Sequence, residues 1–173
     1  EHDLADPEYA EIFAQNARLA GMVDLDEYSM KDLRAMIAKS IGISPEKLER
    51  TIEPMERVYA VVDHTRCLAY MLGDGIIPSN VKSGYLARLV IRRALRLMKE
   101  LGLDLPIADL VEMQISRLDY PDWEERFVTV REILTQEEQK YAETLEKGKR
   151  LVKKSAEHFK KLGQAVPLAE MIA

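Results

Sequence analysis

Residues 122–162 read DWEERFVTVREILTQEEQKYAETLEKGKRLVKKSAEHFKKL, and the spacing of their apolar side chains decides the fold class. Phe127, Val130 and Leu134, then Tyr141, Leu145, Val152 and Phe159, recur in steps of three, four and seven. A helix returns those positions to one side, so the stretch predicts a heptad-like seam on one long helix. At ~1.5 Å per residue this helix would be about 55–60 Å long, beyond most globular helices. Thr135 followed by Glu138 offers an alternative, a capping-box restart partway along.

The segments before it carry helix signals too. A helix over about Ile107 to Leu118 would end at Tyr120-Pro121-Asp122, and another over about Gly84 to Leu101 would be capped by Gly102. From Pro54 to Leu72 the pattern is apolar almost all round, broken at Asp63-His64-Thr65-Arg66 and stopped by Gly73-Asp74-Gly75. Such a helix belongs in the middle of a bundle. Ser44-Pro45-Glu46 starts a helix that Pro54 interrupts or restarts. Ser29 with Asp32 starts one carrying Leu33, Met36, Ile37 and Ile41 on one face before Gly42. The first helix runs from Pro7 to Met22, with Asp6 as its N-cap. No strand-like alternation of useful length and no internal repeat occurs. The expectation is an all-α, multi-helix bundle with a basic helix and a long C-terminal helix. It forms one domain over 1–173, with the bundle at about 1–120 and the long helix at about 122–162. Residues 167–173 look like the first turns of a helix cut short, and the chain opens on Glu1, so a fragment of a longer protein is expected.

Composition agrees. Of 173 residues, 47% are hydrophobic and 32% charged, which reads as folded rather than disordered. A chain of this length buries roughly two-thirds of its extended surface. The single cysteine, Cys67, excludes an internal disulfide and fits a reducing compartment. No apolar run approaches a membrane span, and no signal pattern opens the chain, so a cytoplasmic location is expected.

The net charge of −5 argues against indiscriminate nucleic-acid binding, but the charge is unevenly spread. Residues 1–59 are acidic, whereas Val81 to Lys99 contains Lys82, Arg88, Arg92, Arg93, Arg96 and Lys99 and no acid. At about 100° per residue, Arg88, Arg92, Arg96 and Lys99 share a narrow stripe, with Leu86, Val90, Leu97 and Leu101 roughly opposite. A cationic ridge with its apolar face docked would present guanidinium forks to phosphates. A solvated face is the competing reading, weakened by the absence of any i,i+4 glutamate partner and of alternating signs, and spacing alone leaves the two about even. The later cluster Lys147, Lys149, Arg150, Lys153, Lys154, Lys160 and Lys161 follows Glu137, Glu138, Glu143 and Glu146, and a solvated face explains it.

Candidates for chemistry are few. His64 and Cys67 are spaced to touch one metal, but two ligands do not make a site and no second Cys/His pair exists. A helix-buried histidine with a hydrogen-bonding neighbour is the better reading. Asp63 and Arg66 read as a structural ion pair. Gly73-Asp74-Gly75 lacks the strand that a phosphate-binding glycine loop follows. No nucleophile has a base, so no catalytic residue is assigned.

Between Val62 and Arg96 the residues become specific. Asp63-His64-Thr65-Arg66, Gly73-Asp74-Gly75-Ile76-Ile77-Pro78-Ser79-Asn80, Gly84-Tyr85-Leu86-Ala87-Arg88 and Ile91-Arg92-Arg93-Ala94-Leu95-Arg96 resemble the alanyl-tRNA synthetase family, whose pattern is A-D-H-x-R, A-D-G-x-x-P-S-N and G-Y-x-x-R-x-x-x-R-R-A-x-R. Valine and glycine stand where the family often has alanine before the two aspartates. Ile52-Glu53-Pro54 and Glu143-Thr144-Leu145-Glu146-Lys147-Gly148 look like the archaeal branch. The resemblance covers most of the chain, least the first thirty residues.

The resemblance implies an enzyme that joins alanine to its tRNA using ATP and Mg²⁺ in a class II catalytic domain absent from these residues. It also implies an editing domain with zinc elsewhere in the chain, and no cofactor in this segment. The partners implied are the acceptor stem of the alanine tRNA and those adjacent domains, with neither membrane nor DNA. In the family, a loop asparagine and arginines on the helix after it read a G·U wobble at the third base pair, together with an aspartate further on. Asn80 matches the asparagine and Arg92 the arginine, with Ser79, Lys82, Arg88, Arg93 and Arg96 completing the expected tRNA-binding set. Some members have a second asparagine two positions later, where this chain has Lys82. The matching aspartate would fall just beyond Ala173.

The physics is compatible. The minor groove of duplex RNA is wide and shallow, and a wobble guanine offers an unused N2 amino donor there. An asparagine amide both accepts and donates, while arginines fix register on phosphates without reading sequence. The alternative function is a helical protein–protein module whose seam and basic face bind another protein.

Overall fold

Caps and turns cut this chain into helices. The structure, a computed structural model, describes residues 7–21, 29–117, 122–163, 165 and 167. Among these residues it has no strand and six helices: α1 (Pro7–Ala20), α2 (Met30–Ile41), α3 (Pro45–Gly73), α4 (Lys82–Glu100), α5 (Ile107–Ile115) and α6 (Trp123–Lys161). The all-α expectation holds. Asp6, Met22, Leu118, Tyr120-Pro121 and the start of a helix at 168–173 lie outside the described residues.

The chain divides into two compact units, residues 1–60 and 61–173. In the first, Ser29 is extended and its Oγ accepts the Asp32 N–H at 3.2 Å, satisfying one of the free donors at the start of α2. Gly42 ends α2 at φ 78°, a left-handed backbone that a side chain disfavours. The core is Ile12, Leu33, Ile37, Ala38, Leu48 and Ile52. Met36, expected on that face, is exposed, because Leu33, Ile37 and Ala38 define a side of α2 that excludes it. Arg34 joins α2 to α3 by reaching Glu49 at 3.0 Å and Glu56 at 2.8 Å.

α3 runs unbroken through Pro54, so the proline removes one backbone N–H without ending the helix. Nor is α3 buried on all sides: Val58, Tyr59, Val62 and Tyr70 are exposed, and Asp63 and Arg66 lie on its outer surface rather than forming a buried pair.

In the second unit α4 and α5 both pack on α6 around Ile91, Ala94, Ile107, Val111, Val130 and Leu134. The Arg126 guanidinium donates to the Gly73 carbonyl at 3.0 Å, tying the end of α3 to α6. At 39 residues, α6 spans about 58 Å. It passes through Thr135, whose hydroxyl donates back to the Arg131 carbonyl at 2.8 Å instead of capping a new helix. Only the first part of its seam is fully buried, with Leu145 and Phe159 half-buried further along. Phe127, Val130 and Leu134 are buried and Tyr141 partly so, whereas Val152 is exposed.

The docked face of α4 is broader than the one expected. Gly84, Ala87, Ile91, Ala94, Leu95 and Met98 are buried, the expected Val90, Leu97 and Leu101 pack partly against the same core, and Leu86 is half exposed. The large leucines suggested a stripe about a quarter-turn from the most deeply buried side, where small residues let α4 approach its neighbours.

Candidate nucleic-acid interface

The loop between α3 and α4 is built around Gly84 and Ser79. A Cβ on Gly84 would fall on the Ser79 hydroxyl and within 2.5 Å of the Ile77 carbonyl oxygen, so the loop lies directly on the helix backbone. Ser79 donates its N–H to the Gly84 carbonyl at 3.0 Å. Its Oγ donates to the Val81 carbonyl at 3.0 Å and accepts the Val81 N–H at 3.3 Å. Closing the turn, a job that asparagine often performs, falls here to Ser79. Lys82 then enters α4 at φ 50°, a left-handed conformation in which asparagine and glycine are far commoner than lysine.

Arg88 ties the loop to α6. Its Nε donates to Glu137 Oε2 at 2.8 Å, and its Nη2 donates to Glu137 Oε1 at 3.0 Å and to the Pro78 carbonyl at 3.2 Å. Its Nη1 donates to Asn80 Oδ1. The Glu137 side chain is only 6% exposed, and Lys140 Nζ adds a third donor at 3.1 Å. Hydrogen bonding from Arg88 holds the Glu137 carboxyl below its ordinary range against the opposing effect of burial, with Lys140 assisting. The same bond to Glu137 raises the pKa of Arg88.

Four of the five N–H groups of Arg88 therefore serve internal partners. The expected row of four free cations is corrected accordingly. Arg96 is paired with Glu100 four residues on at 2.9 Å, which corrects the expectation that the helix lacks an i,i+4 glutamate partner: Glu100 lies just past the acid-free stretch. Arg92, Arg93, Lys82 and Lys99 are exposed, and so is the Asn80 amide. The structure thus joins Asn80 and Arg88 by a hydrogen bond beside the turn that Ser79 closes, with Arg92, Arg93 and Arg96 further along the same helix.

His64 is half-buried. Burial lowers its pKa first, the charge of Arg93 adds to this, and Asp63 opposes both. Cys67 is exposed, its Sγ 3.6 Å from Met71 Sδ. Among the described residues no three His, Cys, Asp or Glu side chains are grouped to hold a metal. No helix among them is long and apolar enough to cross a membrane.

Sequence reasoning missed Glu137, although a signal was present. Steps of three and four from Phe127, Val130 and Leu134 land on residue 137 before Tyr141, and the step of seven passed over it. A carboxylate at a seam position marks either a break in the core or a buried partner, and here the partner is Arg88.

Comparison with known proteins supplies the context. Residues 3–173 match the family model described as tRNA synthetases class II (A). The chain is 67% identical over its whole length to an alanine–tRNA ligase of Methanothrix thermoacetophila and covers 19% of that protein. It is 53% identical, over 99% of its length, to the alanine–tRNA ligase of Methanococcoides burtonii, again covering 19% of the relative. With that of Methanothermobacter thermautotrophicus the identity is 48%, over 94% of this chain and 18% of the relative. The chain thus spans about a fifth of the length of the curated relatives it matches. With the model matching nearly every residue, the chain belongs to the class II (A) tRNA synthetase family.

Proposed function

We propose that this chain is the tRNA-recognition region of an alanine–tRNA ligase, gripping the acceptor stem and reading a G·U wobble pair in its minor groove. The observation that carries the reading is the exposed Asn80 amide, held by Arg88 on a loop that Ser79 and Gly84 fix against α4. An amide with a fixed direction discriminates between base edges, whereas a freely rotating one does not. Arg92 and Arg93 follow on the same helix as exposed cations for phosphate oxygens. The similarity to alanine–tRNA ligases supports a tRNA as the ligand. On this reading ATP, magnesium and zinc belong to other parts of a longer enzyme.

The test compares acceptor-stem minihelices carrying G·U or G·C at the third pair. Asn80→Ala is expected to narrow the preference for G·U by about 1–3 kcal/mol while leaving the salt dependence nearly unchanged. An Asn80→Ala protein that folds and keeps its full preference would remove Asn80 from the reading.

A further inference from the structure

The Asn80 side chain is oriented from α6, by a residue to which neither the motif nor the family resemblance draws attention. We infer that Glu137 is a positioning residue for the Asn80 contact, fixing through Arg88 the direction in which the amide faces. The inference rests on the base-reading role proposed for Asn80.

Three observations carry it. First, Glu137 is the only ionisable residue among the buried residues described, and it sits at a seam position that an apolar residue would fill. A buried ion pair generally adds little net stability over an apolar pair of similar size, so packing alone does not account for this one. Second, the guanidinium of Arg88 is planar and rigid. With Nε and Nη2 seated on both oxygens of Glu137, the Nη1 and Nη2 hydrogens that meet Asn80 Oδ1 and the Pro78 carbonyl have their directions set as well. Third, the backbone turn has ties of its own besides the Arg88 bond to the Pro78 carbonyl. Ser79 and Gly84 hold the backbone turn, whereas the Asn80 amide is tied through Arg88.

Loss of Glu137 should therefore release the amide while leaving the turn in place. Asn80 would still reach the groove, but in several directions. The effect belongs in discrimination between pairs more than in overall affinity.

The experiment uses the full-length protein and the G·U and G·C minihelices, with thermal melting of every variant in parallel. Glu137→Gln keeps one acceptor oxygen but loses the charged fork. The double variant Arg88→Met with Glu137→Met replaces the pair by apolar side chains of similar reach, avoids leaving a lone buried charge, and guards against a single variant that fails to fold. Both are expected to melt as cooperatively as the parent yet lose G·U preference, the double variant by as much as Asn80→Ala, on the order of tenfold. Folded variants that keep the parent ratio while Asn80→Ala loses it would overturn the role of Glu137 and leave Asn80 as reader. Retention of the ratio by Asn80→Ala itself would overturn both.

Discussion

Arg88 and Arg92 stand one turn apart on α4, yet the molecule uses them differently. Arg88 borders the buried face formed by Gly84, Ala87 and Ile91, and there it meets the carboxylate of Glu137. Arg92 projects further round the helix and is exposed. The same side chain type is an internal strut at one position and a surface cation at the next. The difference lies in the angle to the docked face and in which residue of α6 lies opposite. Counting positive charges along a helix therefore overstates the number available to an RNA backbone.

The largest expected effect breaks this comparison on stability. Glu137→Ala leaves Arg88 beside an apolar seam without its carboxylate, and should destabilise the protein by about 3 kcal/mol. Arg92→Ala should change stability by no more than about 0.5 kcal/mol. Urea unfolding of the two variants measures both, and equal losses would mean that the two arginines are not structurally distinct.

A smaller effect separates Glu137 from its neighbour Glu138. The pKa of Glu137 is lowered by Arg88, so its contribution is present above the ordinary carboxylate range and lost as pH falls through the lowered value. Burial raises that of Glu138 first, and Asp109 adds to this against the Ile107 N–H. A raised pKa has the opposite sign: the favourable state is present below the ordinary value and lost as pH rises through the raised one. Glu138→Gln should therefore be neutral or stabilising at pH 7, by less than about 1 kcal/mol, and the advantage should vanish in acid. Melting temperatures across the acid range would show it, and a Glu138→Gln protein less stable at pH 7 than in acid, relative to the parent, would contradict the assignment.

The smallest effect concerns Lys82. Its φ of 50° strains a side chain that glycine lacks, so Lys82→Gly should gain up to about 1 kcal/mol despite the added freedom of the unfolded chain. Thermal unfolding checks it, a lower melting point being the contrary result.

What was legible in the sequence was mostly local. Ser29, Gly42 and Gly102 act through their own hydroxyl or their own backbone freedom, and each lies at a helix end. The period of Phe127, Val130 and Leu134 disclosed α6 because a helix is the structure that gathers them on one side. Non-local decisions were hidden. Pro54 stays inside α3, and the most deeply buried side of α4 mixes Gly84, Ala87 and Ala94 with Ile91, Leu95 and Met98, a quarter-turn from the stripe that Leu86, Val90, Leu97 and Leu101 suggested. Asn80 stood out through the resemblance, but its tie to Arg88, and that of Arg88 to Glu137 forty-nine residues away, exists only after folding.

The most direct test of the account is the salt dependence of binding to a G·U acceptor-stem minihelix by the parent protein and by Arg92→Ala. If the exposed side of α4 holds phosphates, binding by the parent should weaken steeply as salt rises, and Arg92→Ala should reduce the slope of log affinity against log salt by about 1. A parent protein whose minihelix binding does not respond to salt, or an Arg92→Ala variant with the parent's slope and affinity, would contradict the claim that this helix faces RNA.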